Sequence, residues 1–314
     1  MTGRKPLQFL KSALFVLLLS LTTTTLKAQA PPITDVAFAP DGSSVVACSQ
    51  AGLQIFSWPD LELKESVELS FDNAHCVAFS ADGNSLAVGG GNPSEKGAIE
   101  IFSWPECVTQ MKLSQHDDSV VSVAWLDNDN LVSASLDRLL IHWDLESGEP
   151  ARALRGHSRG VSSVCILSNG DLVSAGLDQS VRVWNTESGE LTRSLNQHSR
   201  AINSISICPS GAGQPIVATA AGDHTIRFWQ PSIGRMMRYV RLESEPLDLA
   251  WIDESRIVAS CADGQLHLVD SLNVEVLHTT SAIDGWAYAV AVHPIDSSVV
   301  VAGSGGQLQR IELR

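Results

Sequence analysis

Histidine, hydroxyl and aspartate residues repeat along this chain at spacings that could build acyl-transfer chemistry. His116, Ser133 and Asp137 return 41 residues later as His157, Ser174 and Asp178, and a third set follows as His198, Thr219 and Asp223. A hydroxyl within reach of an imidazole that a carboxylate orients is the usual form of an activated nucleophile. Repetition argues for another use, because one reaction centre has no need of three copies. Each set also ends on an indole six residues after the aspartate: Trp143, Trp184 and Trp229. A buried indole N–H, hydroxyl, imidazole and carboxylate each require a partner, and four such groups can satisfy one another in a chain. The sets read as internal bracing, and no residue is assigned a catalytic role.

Bracing that recurs must be carried by an element that recurs. Residues 131–149 (LVSASLDRLLIHWDLESGE) and 172–190 (LVSAGLDQSVRVWNTESGE) align without a gap. Within each unit, short runs rich in β-branched residues, such as 161–167 (VSSVCIL), are separated by Asn, Asp and Gly, the pattern of strands joined by tight turns. Seven leading strands can be counted, through Val36, Val77, Val123, Val164, Ile205, Leu249 and Val290. No sustained helical period follows residue 30. A repeat of about 40–45 residues with these features is one propeller blade, and seven of them close a ring that leaves only short edges.

The residues that carry a resemblance are Gly156-His157 and Trp143-Asp144, with partial copies at Gln115-His116, Gln197-His198, Trp184-Asn185 and Trp229-Gln230. On these the chain resembles the WD-repeat β-propeller family, as a bacterial-type exported member. The match covers nearly all of 31–314 and is closest in the third to fifth units. The resemblance implies an all-β, seven-bladed propeller of four-stranded antiparallel blades that serves as a non-catalytic protein-interaction scaffold. It also implies that the repeated sets pin the turns between blades. Elsewhere the set is degenerate: Trp58 and Trp104 are read as the indole position, with Pro59 and Pro105 after them, and Val269 and Ile311 replace it later. Blades three to five are therefore expected to be the rigid part of the ring. The first, sixth and seventh are expected to open more readily.

The N-terminus reads as an export signal. Arg4, Lys5 and Lys11 precede an apolar run at 12–21 (SALFVLLLSL), and Ala28-Gln29-Ala30 has cleavage-site spacing. That run is shorter than the roughly 20 residues of a membrane span. The expected division is a signal peptide over 1–21, with the cut falling between there and residue 30, and a propeller over 22–314. Residues 22–27 (TTTTLK) align with the outer strand that the last blade lacks at the C-terminus. Cleavage after Ala30 would discard it, so either the cut lies nearer residue 20 or the seventh blade has three strands. The mature protein is expected to be periplasmic or secreted, with no stable membrane span.

The formal charge of −14, with 35 Asp+Glu against 21 Lys+Arg, repels phosphate backbones and speaks against nucleic acid. Six cysteines stand singly and read as small buried hydrophobes. No residue spacing points to a metal or another cofactor, and the Gly89–Gly97 loop lacks the features of a phosphate loop. The loops entering each first strand are the candidate binding surface. They carry Asp72, Asp117, Glu243, Glu245 and Asp284, interrupted by Arg159 and Arg200, with Phe71 and Trp286 as apolar anchors. A protein partner with a basic segment suits that composition. The alternatives are a propeller enzyme of lactonase or dehydrogenase type, with its site in the central channel, and a periplasmic sensor module beside a redox partner.

Overall fold

The structure, a computed structural model, describes residues 30–209 and 214–313. The expected signal segment over 1–21 and the expected closing strand over 22–27 lie outside the described residues. The chain forms seven antiparallel sheets around an axis, a seven-bladed β-propeller. Six sheets have four strands and the seventh has three among the described residues. The blades run over 33–67, 74–116, 120–155, 161–195, 202–241, 246–281 and 287–311. Two short 3-10 turns, Pro231–Ile233 and Ser304–Gly306, are the helical elements among the described residues.

Position in the blade decides which residues the sequence places there. Second strands, such as Leu172–Gly176 (LVSAG) and Val299–Gly303 (VVVAG), are covered on both faces by neighbouring blades and are buried throughout. Outer strands, such as Leu63–Val67 (LKESV), meet solvent and are charged. Between blades the interior is filled by apolar side chains, with Trp143, Trp184 and Trp229 among the largest fully buried groups.

The seven first strands surround the central channel: β1 (Ile33–Phe38), β5 (Ala74–Phe79), β9 (Val120–Trp125), β13 (Val161–Ile166), β17 (Ile202–Ile207), β21 (Pro246–Trp251) and β25 (Ala287–Val292). Each packs on both neighbours, and β25 returns to β1 to close the ring. Each first strand shifts register against the second strand of its own blade near its start, around Thr34, His75, Val121, Ser162, Asn203, Leu247 and Tyr288. A bulge at this place re-aims one side chain per strand.

Blade seven is clasped to blade one by side chains. His293 stacks on Trp58 and meets Phe38 edge-on, its Nε2 lies 3.1 Å from the Gly42 carbonyl, and Arg310 lies over the Trp58 ring. Strand register corrects one expectation here. Phe56 pairs with Val45 and Phe102 with Leu86, as Trp143 pairs with Leu131, so the two phenylalanines occupy the indole position. Trp58 and Trp104 lie two residues further on, past the strand end, where the prolines turn the chain.

Candidate functional site

One face of the ring gathers the loops that enter the first strands. A recurrent bond holds six of them: the residue at or just past the end of the second strand donates its N–H to the carbonyl of the entrance loop. It runs from Gly91 to Asn73, Leu136 to Ser119, Leu177 to Gly160, Gly222 to Ala201, Ala262 to Glu245, and Ser304 to Trp286. The bulge residues line the channel mouth on this face. Three of them reach across to the next blade: Thr34 Oγ1 donates to the Ala74 carbonyl at 2.8 Å, Ser162 Oγ to Ile202 at 2.6 Å, and Asn203 Nδ2 to Pro246 at 2.9 Å. Val121, Leu247 and Tyr288 supply apolar surface between them.

One residue deeper, a second ring accepts instead of donating. Asp35 Oδ2 takes the Val77 N–H, Ser122 Oγ that of Val164, Ser163 Oγ that of Ile205, and Asp248 Oδ2 that of Val290. These side chains replace the strand-to-strand bonds that splayed first strands cannot make. Burial in the channel wall pushes the Asp35 carboxyl up to about 8, and the nearby Asp248 carboxylate adds to the effect. Burial also raises Asp248.

The repeated sets come together as follows. Trp143 Nε1 donates to Ser133 Oγ at 2.8 Å, that oxygen lies 2.7 Å from His116 Nε2, and His116 Nδ1 lies 2.7 Å from Asp137 Oδ2. The same path runs through Trp184, Ser174, His157 and Asp178 at 2.9, 2.8 and 3.0 Å, and through Trp229, Thr219, His198 and Asp223 at 2.8, 2.7 and 3.0 Å. Each histidine precedes the first strand of the blade that supplies the other three groups, so the path ties one entrance loop to the next turn. The carboxylates also take the N–H groups of Asp117, Ser158 and Ser199. Burial works to raise the Asp178 and Asp223 carboxyls, but hydrogen bonds from histidine, hydroxyl and backbone donors outweigh it and hold both well below the usual carboxylate range. The three hydroxyl oxygens are fully buried beneath an indole. A nucleophile needs access to its substrate, and these have none in this conformation.

The candidate binding residues are placed less evenly. Trp286 is 50% exposed, with Tyr288 beside it at a ring-centroid distance of 5.8 Å. Phe71 is half-buried and packs into the seam between blades one and two, so Trp286 has Tyr288 and not Phe71 as its aromatic neighbour. Asp72, Asp117, Glu243 and Asp284 are exposed. Glu245 is half-buried, accepts from Asn203 Nδ2 at 2.9 Å, and shares a cleft with Arg159 and Arg200. In blade six the fold also gathers Cys261, Asp263 and His267, which the sequence reading left scattered. The signal for them was a Cys-x-Asp-x3-His spacing across a hairpin turn.

The family described as WD domain, G-beta repeat matches residues 20–56, 106–144, 148–185 and 189–230. These matches end on Phe56 and on the residues after Trp143, Trp184 and Trp229, in agreement with the strand register. Among curated proteins, the chain is 30% identical over 120 residues to the UBP9-binding protein bun62 of Schizosaccharomyces pombe, covering 36% of this chain and 21% of that one. It is 28% identical over 130 residues to the WD repeat-containing protein 1 of Gallus gallus, covering 38% and 20%, and 29% identical over 145 residues to that of Bos taurus, covering 41% and 22%. The chain thus spans about a fifth of the length of these relatives. Fold, bracing sets and repeat matches agree, and the chain is a seven-bladed β-propeller of the WD-repeat type.

Proposed function

We propose that this protein is a non-catalytic platform that binds another protein on the face bearing Trp286, and that it works outside the cytoplasm. The half-exposed indole of Trp286, in an entrance loop beside Tyr288 of the channel mouth, carries the reading. Large aromatic side chains held in the open are the type that anchors protein interfaces, and loops on a rigid ring are where such function resides. The exposed carboxylates Asp72, Asp117, Glu243 and Asp284 favour a partner with a basic segment beside an apolar group. One relative named as a WD repeat-containing protein and another named as a binding protein support the same class. The basic cluster and apolar run over 4–21 support the location.

A photoreactive amino acid at position 286, compared with one at the exposed Leu63 of an outer strand, tests this reading in cells. A discrete cross-linked partner from 286 and not from 63 is expected. Equal labelling from both positions would remove the proposal.

A further inference from the structure

Blade six keeps the aspartate of the brace and loses the rest. By register, Ala259 of β22 (Arg256–Cys261) stands where Ser133, Ser174 and Thr219 stand, and Val269 of β23 (Gln265–Asp270) where the tryptophans stand. Leu242, three residues before Glu245, takes the place of the histidine. The carboxylate left behind, Asp263, has two new neighbours. Cys261 occupies the position of Gly176 in blade four, where an added Cβ would point at His157 Nδ1 and Asp178 Oδ1. A side chain at this position is therefore directed toward the aspartate. His267 occupies the position from which Arg182 and Arg227 ion-pair with Asp178 and Asp223 at 3.6 and 3.5 Å.

One donor atom from each of Cys261, Asp263 and His267 lies within 4.8 Å of the other two. Cys261 is fully buried, His267 is 6% exposed, and Asp263 opens the group to solvent. His267 Nδ1 is held 2.9 Å from the Thr279 hydroxyl, while its Nε2 is buried without a hydrogen-bond partner. A buried polar atom left without a partner costs stability, and the imidazole that bears it stands beside a thiol and a carboxylate.

We propose that Cys261, Asp263 and His267 bind one divalent transition-metal ion of the zinc class. A thiolate, an imidazole and a carboxylate form a donor set that suits zinc, whereas magnesium and calcium take oxygen. Donors bound at about 2.0–2.3 Å to one ion stand no more than about 4.6 Å apart, so small side-chain movements complete the site. Thr279 fixes the imidazole ring as hydroxyl and carbonyl partners of metal-bound histidines do. Glu243, whose charge acts on His267, or solvent supplies the fourth position. The Cys261 thiol, pushed up to about 12 by burial and by Asp263, gives its proton to solvent as the sulfur–metal bond forms. The ion then links β22, its turn and β23, the connection that the tryptophan–histidine path makes in blades three to five.

The test uses the full chain, stripped with a chelator and titrated with Zn²⁺ by calorimetry and with Co²⁺ by absorption. One ion per chain, a sulfur-to-cobalt charge-transfer band and a higher unfolding midpoint with Zn²⁺ are expected. Cys261→Ser should abolish the band, and Cys261→Ser and Asp263→Asn should each weaken Zn²⁺ at least tenfold, while Cys165→Ser changes neither. Asp263 is exposed, so Asp263→Asn keeps the test valid if a core variant fails to fold. Absence of saturable one-to-one binding, or full affinity in both Cys261→Ser and Asp263→Asn, would overturn the proposal.

Discussion

Ser304 holds Trp286 from both sides. Its backbone N–H donates to the Trp286 carbonyl at 2.9 Å, and its hydroxyl oxygen accepts the Trp286 N–H at 2.9 Å. The backbone before Ser304 comes so close that a Cβ on Gly303 would run into the Trp286 carbonyl. A half-exposed indole thus stands on a fixed backbone, and an anchor fixed in advance loses little freedom on binding.

Trp286→Ala should therefore weaken capture of the cross-linked partner by about 30-fold, the equivalent of a hot spot of about 2 kcal/mol. The unfolding free energy should stay within about 0.5 kcal/mol, because the side chain is half in solvent. Gly303→Ala should reduce capture as well, by displacing the indole without touching the partner. Surface plasmon resonance on the purified pair reads both. Unchanged affinity in Trp286→Ala would assign the partner to another surface.

Ser174→Ala should cost about 2–4 kcal/mol in urea unfolding, since the Trp184 N–H loses its acceptor and His157 Nε2 its partner in a dry interior. Asp178 and Asp223 give the brace an acid limit. Their carboxyls are held below the usual 3.8 in the folded protein, so the unfolded chain binds more protons in the interval between. Stability is complete above that usual value and falls as pH drops through the depressed ones. Asp178→Asn should flatten this acid limb, and unfolding midpoints below pH 4 measure it.

The brace was legible in the sequence because its intervals are set by strand register, and register is the same in superposable blades. Trp58 and Trp104 misled for a physical reason. A tryptophan before a proline looks like the repeat signature, but the signature position is defined by pairing with the second strand, which puts Phe56 and Phe102 there. The channel ring was hidden because Asp35, Ser122 and Ser163 read as ordinary polar residues in half-exposed strands. Their task, accepting the N–H of the following blade, exists only once the ring closes. Cys261 and His267 were separated by a turn, and only the hairpin brings them to Asp263.

Asp35 sets the alkaline limit. Its carboxyl is raised from 3.8 to about 8 by burial and by Asp248, so across that window the folded protein holds a proton that the unfolded chain has released. Stability is complete below 3.8 and declines as pH rises toward 8. Asp35→Asn should remove much of that decline. It should also lower stability overall by about 1–3 kcal/mol, because an amide cannot accept both backbone N–H groups that Asp35 accepts. Unfolding midpoints between pH 5 and 9 decide it, and an unaltered slope would show that Asp35 stays ionised.

Amide exchange should separate the blades. The second strands of blades three to five, Asn130–Ser135, Leu172–Gly176 and Val217–Ala221, each carry a hydroxyl bound to an indole and an imidazole. Those of blades six and seven, Arg256–Cys261 and Val299–Gly303, carry Ala259 and Val301 at that place. Local opening breaks the brace in the first group and only apolar packing in the second. In metal-free protein, blades six and seven should exchange faster, and equal protection would deny the brace a role in rigidity.

Thiol chemistry offers the last check on the packing. All six cysteines are free, and five are buried between blades. Only a thiolate attacks a disulfide reagent, and burial both withholds the sulfur and keeps it protonated. Burial, with Asp35 adding to it, holds the Cys48 thiol far above the usual range, and burial raises Cys165 to about 12. Cys107 is half-exposed, and burial together with Glu65 and Glu106 raises it to about 11. Native protein at pH 8 should therefore titrate slowly to one thiol per chain, rising to six in denaturant. Cys107→Ser should leave the native protein unreactive. Rapid labelling of two or more thiols in the native state would mean that the blades part far more often than their packing implies.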